Sequence, residues 1–504
     1  MPTRPARPRA WVVFLVSWAL LTVLSTLWAI ATPPGASPDE PAHMVKAASV
    51  VRGAFNNAGT ELGSDVDVPQ YVAWTHAQTC PAFRPTVTAA CIEEPPGDDA
   101  QIVDSTTTAG RYNPLYYLLV GWPTLLIPDA WGIYAMRVVS GAIVSVFLAL
   151  TTVVIAGWAR RMMPVIAFGA GVTPMMLFLS GSVNPNALEV AATLAAFAAV
   201  AAVVMRPDPA LLAHRATIAA VAGVVAANTR AISPLWVAIA VLVPLLLASR
   251  DQVRTLARSR PVLIAAAVIA AGAAAALVWL RVTSTVSTTA EAGGEAPEVP
   301  YAGASPLFGI ALMLMRFGQH LNEMIGVFGW LDTGLPVEVY ALWGLLFGSI
   351  VVWAVALLRG RSLAVALVVI GLVPIVPALI QGAFITSGGW IWQGRYALPV
   401  LVVALLALGL MLADATRALN ARTAAILTGL AAGIWAICHV LAYVTSMQRY
   451  SVGAGVSWWD MLVAPEWQPP GGIVPLLAVF TLVAAGAGVL GWRFALPRSV
   501  TPGA

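Results

Sequence analysis

Charge is what this sequence has least of. Of 504 residues only 10% are Asp, Glu, Lys or Arg, where soluble domains carry about 25%, and 59% are hydrophobic with a mean hydropathy of +0.83. That shortage excludes an ordinary soluble domain and implies a polytopic membrane protein. Lysine is nearly absent: Lys46 is the only one, which the codon bias of a GC-rich genome explains without invoking function. Cysteine is scarce, with three in the chain, and although His76 lies near two of them no set of four zinc ligands stands out. A Walker-type Gly-x-x-x-x-Gly-Lys is missing, as is a Gly-x-Gly-x-x-Gly inside a βαβ pattern, which argues against ATP or dinucleotide use. No basic run is interleaved with aromatics, so nucleic acid is not an expected partner.

Long apolar runs take the place of charge. Spans are expected at 11–31, 132–158, 163–181, 186–205, 215–230, 232–249, 261–280, 337–358, 362–386, 396–413, 422–446 and 472–492. The fold class is therefore an all-α polytopic integral membrane protein of about 12 transmembrane helices with a long first extracytoplasmic loop. The first run is long for a signal-peptide core and is followed by Thr32-Pro33-Pro34, not a small-x-small site, so it reads as a signal anchor. With residues 1–10 inside, the inner segments hold 17 of the 27 basic residues, Arg160, Arg161, Arg359 and Arg361 among them, and only Asp208, Asp251 and Asp414 of the 23 acids. The positive-inside rule then holds at every inner connection, and the net charge of +4 reflects sidedness. The chain divides into the cytoplasmic N-terminus (1–10), first helix (11–31), extracytoplasmic loop with interfacial helices (32–131), helices 2–7 (132–280), an extracytoplasmic or re-entrant segment (281–336), helices 8–12 (337–492) and a cytoplasmic tail (493–504). The predicted location is the plasma membrane, with both termini cytoplasmic.

The first loop is too long for a simple connection and is expected to carry function or a small domain. Cys80 and Cys91 in it read as a disulfide stabilising by about 2–3 kcal/mol, whereas Cys438 inside a span reads as inert. Asp65-Val66-Asp67 reads as an exposed acidic turn. Residues 113–128 read as an interfacial helix with Tyr116, Tyr117 and Trp122 at headgroup level. Residues 306–332 are interrupted by Arg316, Gln319, His320, Asn322 and Glu323, which points to a re-entrant or interfacial segment.

The chemistry-bearing stretch is Ser37-Pro38-Asp39-Glu40-Pro41-Ala42-His43-Met44-Val45-Lys46, at the mouth of the first span. Two adjacent carboxylates beside hydrocarbon are costly, roughly 2–3 kcal/mol each even on lenient scales, so they imply chemistry or binding; the plainer alternative is a polar turn capping the first helix. Other polar motifs fall at the same membrane face: Arg111-Tyr112-Asn113-Pro114-Leu115-Tyr116-Tyr117, Ser182-Val183-Asn184-Pro185-Asn186-Ala187-Leu188-Glu189, Arg230-Ala231-Ile232-Ser233-Pro234, the segment 326–336 with Asp332, and Gln393-Gly394-Arg395-Tyr396-Ala397-Leu398-Pro399. Singly, an Asn-Pro starts a helix and an Arg at a span end snorkels. Together, an acid pair and separated arginines suit an anionic lipid-linked substrate such as a phosphate diester.

These motifs, in this order from residue 38 to about 400, resemble a family of bacterial polytopic membrane proteins associated with cell-surface polysaccharide synthesis. More distantly, the acid pair opening a long first outer loop is similar to GT-C membrane glycosyltransferases, including protein mannosyltransferases and the lipid A aminoarabinose transferase. Asn113-Pro114-Leu115 has one proline where those transferases commonly show Pro-Pro-Leu. The resemblance implies an inverting transfer of a sugar from a polyprenyl-phosphate donor to an envelope glycan, lipid or protein on the outer face. Such a reaction needs a base near the acceptor hydroxyl and cations near the leaving phosphate. The expected roles are Asp39 as base, Glu40 positioning the acceptor or a cation, and His43 hydrogen-bonding behind them. Arg395 and Arg230, then Lys46 and Arg111, are the donor-phosphate candidates. Asn113, Tyr117, Asn184, Asp332, Gln393 and Tyr396 are expected to position substrate. Magnesium or manganese is compatible with the acids but required by no ligand set. The competing readings are a transporter or flippase of lipid-linked saccharides, for which inverted repeats and mid-membrane charges would be expected, and a non-catalytic envelope scaffold.

Overall fold

A computed structural model of the chain describes residues 9–56, 59–60, 63–96, 101–283 and 299–496. In hydrocarbon a backbone must satisfy its own hydrogen bonds, so the apolar runs become helices. Among the described residues ten helices are long and apolar enough to span a membrane. They are α1 (Ala10–Ala31), Trp131–Ile155, Pro185–Met205, Pro209–Ala227, Arg260–Thr283, Val337–Leu357, Gly360–Gly388, Gly394–Ala415, Ala421–Val452 and Ile473–Ala495. Two of the twelve expected spans are not single full-length helices, although each still connects the two ends of the bundle. The run 163–181 is broken into Met162–Gly171 and Pro174–Ser180, bent by 60°, because Pro174 and its Thr173 cap start a new helix. The run 232–249 forms a helix of only 13 residues, Ser233–Leu245, short of the roughly 20 that a span needs.

Two helices form the centre. Pro185–Met205 and Gly394–Ala415 are buried over 89% and 94% of their apolar windows, whereas Arg260–Thr283 at the periphery is buried over 11%. The C-terminal half of α1 is fixed by Trp28, whose ring packs on Phe178, Phe328, Tyr443 and Phe480 at centroid distances of 5.0–6.3 Å. The broken helix reaches α1 closely at Gly181, where a Cβ would stand 2.7 Å from the Trp28 Cβ. That contact brings Val183 and Asn184 to the end of α1.

The first loop is a folded unit. It contains α2 (Glu40–Val50) and the strands β1 (Gly59–Thr60), β2 (Gly63–Pro69) and β3 (Ile102–Thr107), paired antiparallel in the order β1-β2-β3. Val66 and Val68 alternate inward along β2. Asp65 and Asp67, expected in a turn, lie instead on this strand, with Asp67 directly opposite Asp104; the hydrogen bond between the two raises the Asp67 pKa. Tyr116 and Tyr117, expected to face the headgroups, face the protein instead. In the helix Leu115–Gly121 both are buried, Tyr116 against Ser140 at 2.9 Å and Tyr117 against His43 at 2.8 Å, and Trp122 alone of the three is exposed. Cys80 and Cys91 form the expected disulfide, and Cys438 is free and buried. Residues 306–332 give two short helices, Pro306–Met315 and Phe317–Gly326, followed by the hairpin β4 (Val327–Phe328) and β5 (Thr333–Gly334). Neither helix has the length of a span.

Candidate active site

The site is built around the turn between α1 and α2. Asp39 adopts a left-handed backbone, φ 62°, in which a side chain costs about 1–2 kcal/mol. Surrounding elements hold the turn there: Trp330 Nε1 donates to the Gly35 carbonyl at 3.0 Å, Tyr450 Oη to Ala36 at 3.1 Å and Asn184 Nδ2 to Pro38 at 3.2 Å.

The two acids then part. Glu40, fully buried at the first turn of α2, accepts from Arg137 Nε at 2.8 Å and Nη2 at 2.6 Å, and from the Val183 N–H at 2.8 Å. Arg137 places its remaining protons on the carbonyls of Ala29, Thr32 and Pro33 at 2.6–3.0 Å. This closed network ties the end of α1 to the helix Trp131–Ile155 and leaves no guanidinium N–H unfilled. Asp39 is 48% exposed and its carboxylate meets Arg395 Nη2 at 2.5 Å. Arg395 is buried, 1% exposed, yet its Nε and Nη1 have no hydrogen-bond partner.

Arg395 is aimed by the turn Gly394–Ala397 at the start of a central helix. Glu323 fixes that turn: its Oε2 accepts the Gly394 N–H at 2.6 Å, with Gln319 Nε2 on Oε1 at 2.9 Å and His320 Nδ1 on Oε2 at 3.2 Å. Burial works to raise the Glu323 pKa, but these donors outweigh it and hold the carboxyl below its usual range. Tyr396 packs under both arginines, with Arg230 Cζ 4.4 Å and Arg395 Cζ 5.3 Å from its ring centroid. Arg230 stands 3.6 Å from Glu189 Oε2, and Ser233 Oγ donates to Glu189 Oε1 at 2.5 Å. Burial disfavours the Arg230 charge, yet Glu189 together with Tyr112 and Tyr396 more than offsets it and raises the pKa. Behind Asp39, buried His43 shares its hydrogen bond with Tyr117; desolvation lowers its pKa to about 4, with Asp39 opposing and both arginines reinforcing the fall.

The structure thus brings Asp39, His43, Tyr117, Arg230, Arg395 and Tyr396 together. Gln393 precedes this turn and keeps a buried Oε1 without a partner. Other expected site residues are occupied elsewhere. Lys46 donates to the carbonyls of Phe55 at 2.8 Å, Gly110 at 2.6 Å and Ala54 at 3.4 Å, which uses its three protons to tie the loop to α2. Asn113 bonds Asn228 at 3.0 Å and caps Leu115 N at 3.0 Å; at Arg111 it is the backbone carbonyl that accepts from Trp279 Nε1 at 3.0 Å, a contact that does not engage the guanidinium. Asp332 pairs with Arg449 at 3.4 Å. Arg137, Glu189 and Glu323 surround the site; Glu189 closes the motif that begins at Ser182 and Glu323 interrupts the 306–332 segment, but none of the three is assigned a role from the sequence. Their signal was their placement: Arg137 and Glu189 lie a few residues inside apolar runs, where an ionisable group is a functional candidate by default. Among the described residues no three His, Cys, Asp or Glu side chains cluster as a metal site would require. An apolar cavity of about 460 Å³ lies along Val12–Leu24 of α1 and beside Trp435 and Trp492, in the half of the bundle remote from Asp39.

An all-helical bundle of this hydropathy, with one folded loop and a charged cluster at one end, is a polytopic integral membrane protein. The chain belongs to the family of predicted membrane proteins named DUF2142, which matches residues 20–404. No curated protein matches it. Solved structures of ArnT from Cupriavidus metallidurans are similar at a TM-score of 0.45. The one bound to undecaprenyl phosphate is 13% identical over 97% of this chain and 76% of its own; the apo state is 12% identical over 97% and 78%.

Proposed function

We propose that the protein is a membrane glycosyltransferase that moves a sugar from a polyprenyl-phosphate donor to a cell-envelope acceptor, with inversion. The observation that carries this reading is the pairing of a half-exposed Asp39 with a buried Arg395 whose Nε and Nη1 are unfilled. A buried guanidinium N–H without a partner costs about 1–3 kcal/mol, and a phosphate oxygen supplies the missing acceptor. Arg395 then holds the donor phosphate on one edge and Asp39 on the other, which fixes base and leaving group relative to each other. Arg230, kept charged by Glu189, adds a second cation across the Tyr396 ring.

In the reaction the acceptor hydroxyl attacks the anomeric carbon on the face opposite the phosphate. Its oxygen forms the new C–O bond, the bond to the phosphate oxygen breaks with the electron pair staying on phosphate, and the hydroxyl proton passes to the Asp39 carboxylate. Base catalysis of this kind contributes about 10²–10⁴-fold. Glu40 serves as a fixed strut, and His43 as a neutral hydrogen bonder. Arg160 and Arg161 follow the end of Trp131–Ile155 opposite to Arg137, and with Arg359 and Arg361 they support, by the positive-inside rule, a reading with the termini in the cytoplasm and the site outside.

The test is transfer of radiolabelled sugar from a panel of polyprenyl-phosphate donors to envelope acceptors by purified protein, beside Asp39→Asn. Transfer that disappears in the folded variant supports the reading. Donor crossing reconstituted vesicles without transfer, and with Asp39 dispensable, would move the assignment to a flippase.

A further inference from the structure

Among the described residues four that are not glycine adopt a left-handed backbone: Asp39, Phe83, Tyr301 and Leu331. Three of these belong to one connected structure. Phe83, φ 59°, sits at the tip of the disulfide loop with its ring 70% exposed and 5.6 Å from that of Trp330. Trp330, next to Leu331, donates its indole N–H to Gly35, four residues before Asp39. One buried guanidinium holds both rings in place: Arg449 donates to the carbonyls of Pro81 at 2.7 Å, Arg84 at 3.0 Å and Val87 at 2.6 Å, and reaches Asp332 at 3.4 Å. The Cys80–Cys91 bridge closes the loop, and the Pro85 carbonyl accepts from Ala454 N at 2.7 Å.

Strained backbone persists where surrounding structure over-determines it, and such places cluster at functional sites. Here the strain turns a large apolar ring outward, against the hydrophobic preference of Phe, and fixes it beside the turn that carries Asp39. A bilayer anchor would need neither the left-handed backbone nor the link through Trp330 to Gly35. A rigid, wet aromatic surface with polar neighbours suits the C–H face of a pyranose ring, whose hydroxyls stay hydrated at its edge.

We propose that Phe83 and Trp330 form the platform on which a glycan acceptor stacks, so that the acceptor class of the transfer proposed above is a saccharide. This rests on the transferase reading for its direction. The experiment titrates the full-length protein in nanodiscs with mannan, galactan and glucan tetrasaccharides by saturation-transfer NMR and calorimetry. At least one should bind the wild type, at least tenfold more weakly to Phe83→Ala, and comparably to Phe83→Trp. Phe83→Gly, which relieves the backbone, should lose binding while its melting temperature rises; a merely structural ring would lower both. Binding equal in wild type and Phe83→Ala, or absent with every probe, would overturn the platform and leave Phe83 as a membrane-surface contact. Glycan binding that depends on Phe83 in a protein devoid of transfer would keep the platform and sink the transferase reading. Transfer to a glycan that ignores Phe83 would do the reverse.

Discussion

Glu40 has no exposed surface and three donors on its two oxygens, whereas Asp39, the residue before it, is 48% exposed and faces an arginine with unfilled hydrogens. The physical origin of the difference is local. Consecutive residues at a helix start point in different directions, and the left-handed Asp39 widens that divergence. One acid turns into the bundle, where only a complete set of partners makes burial tolerable; the other stays at the surface, where an incomplete set remains usable. Adjacent acids can therefore divide architecture and chemistry between them.

The largest effect should come from breaking the closed pair. Arg137→Ala leaves Glu40 charged and unpaired in the interior and should destabilise by about 3–5 kcal/mol, read as a lower melting temperature or loss of folded protein in detergent. Arg137→Met with Glu40→Leu should recover part of it, since no lone charge remains; an unchanged melting temperature in Arg137→Ala would refute the assignment.

Acid should act through His43. Its folded pKa, about 4, lies below the unfolded 6.5, so between these values the unfolded chain binds more protons and stability falls as pH drops. The loss approaches about 3 kcal/mol by pH 4 and is absent above pH 6.5. A melting series should show this slope in the wild type and a flatter one in His43→Gln; equal slopes would exclude His43 as its source.

The open pair should respond differently. Arg395→Ala should weaken polyprenyl-phosphate binding by about 10–150-fold, or about 1.5–3 kcal/mol, with little change in melting because Asp39 keeps its water. Equal binding by variant and wild type would remove Arg395 from the donor site. The smallest effect belongs to the ring between the arginines: Tyr396→Leu should cost about 0.5–2 kcal/mol of donor affinity, and Tyr396→Phe almost none. A larger loss in Phe than in Leu would show that the hydroxyl, not the ring face, matters.

Much of this arrangement was legible in the chain. Apolar runs gave ten full-length helices, and polar motifs at alternate ends gave Asp39, His43, Arg230, Arg395 and Tyr396 as one cluster. The division between the two acids was not legible, because it depends on Arg137, which looks in sequence like one arginine inside an apolar run. Lys46 and Asp332 carry the same charges as the clustered Arg395 and Asp39, and only the tertiary fold assigns them to carbonyls of the loop and to Arg449. The strands of the first loop escaped notice because Gly63–Pro69 alternates over just seven residues and its partner lies beyond the disulfide.

The most direct test compares Asp39→Asn with Glu40→Gln in one preparation, measuring melting temperature and sugar transfer together. The account predicts that Asp39→Asn melts like the wild type and loses about 10²–10⁴-fold in kcat, while Glu40→Gln melts lower and loses transfer only in proportion to folded protein. Wild-type turnover by Asp39→Asn, or a fully stable Glu40→Gln that is inactive, would contradict it.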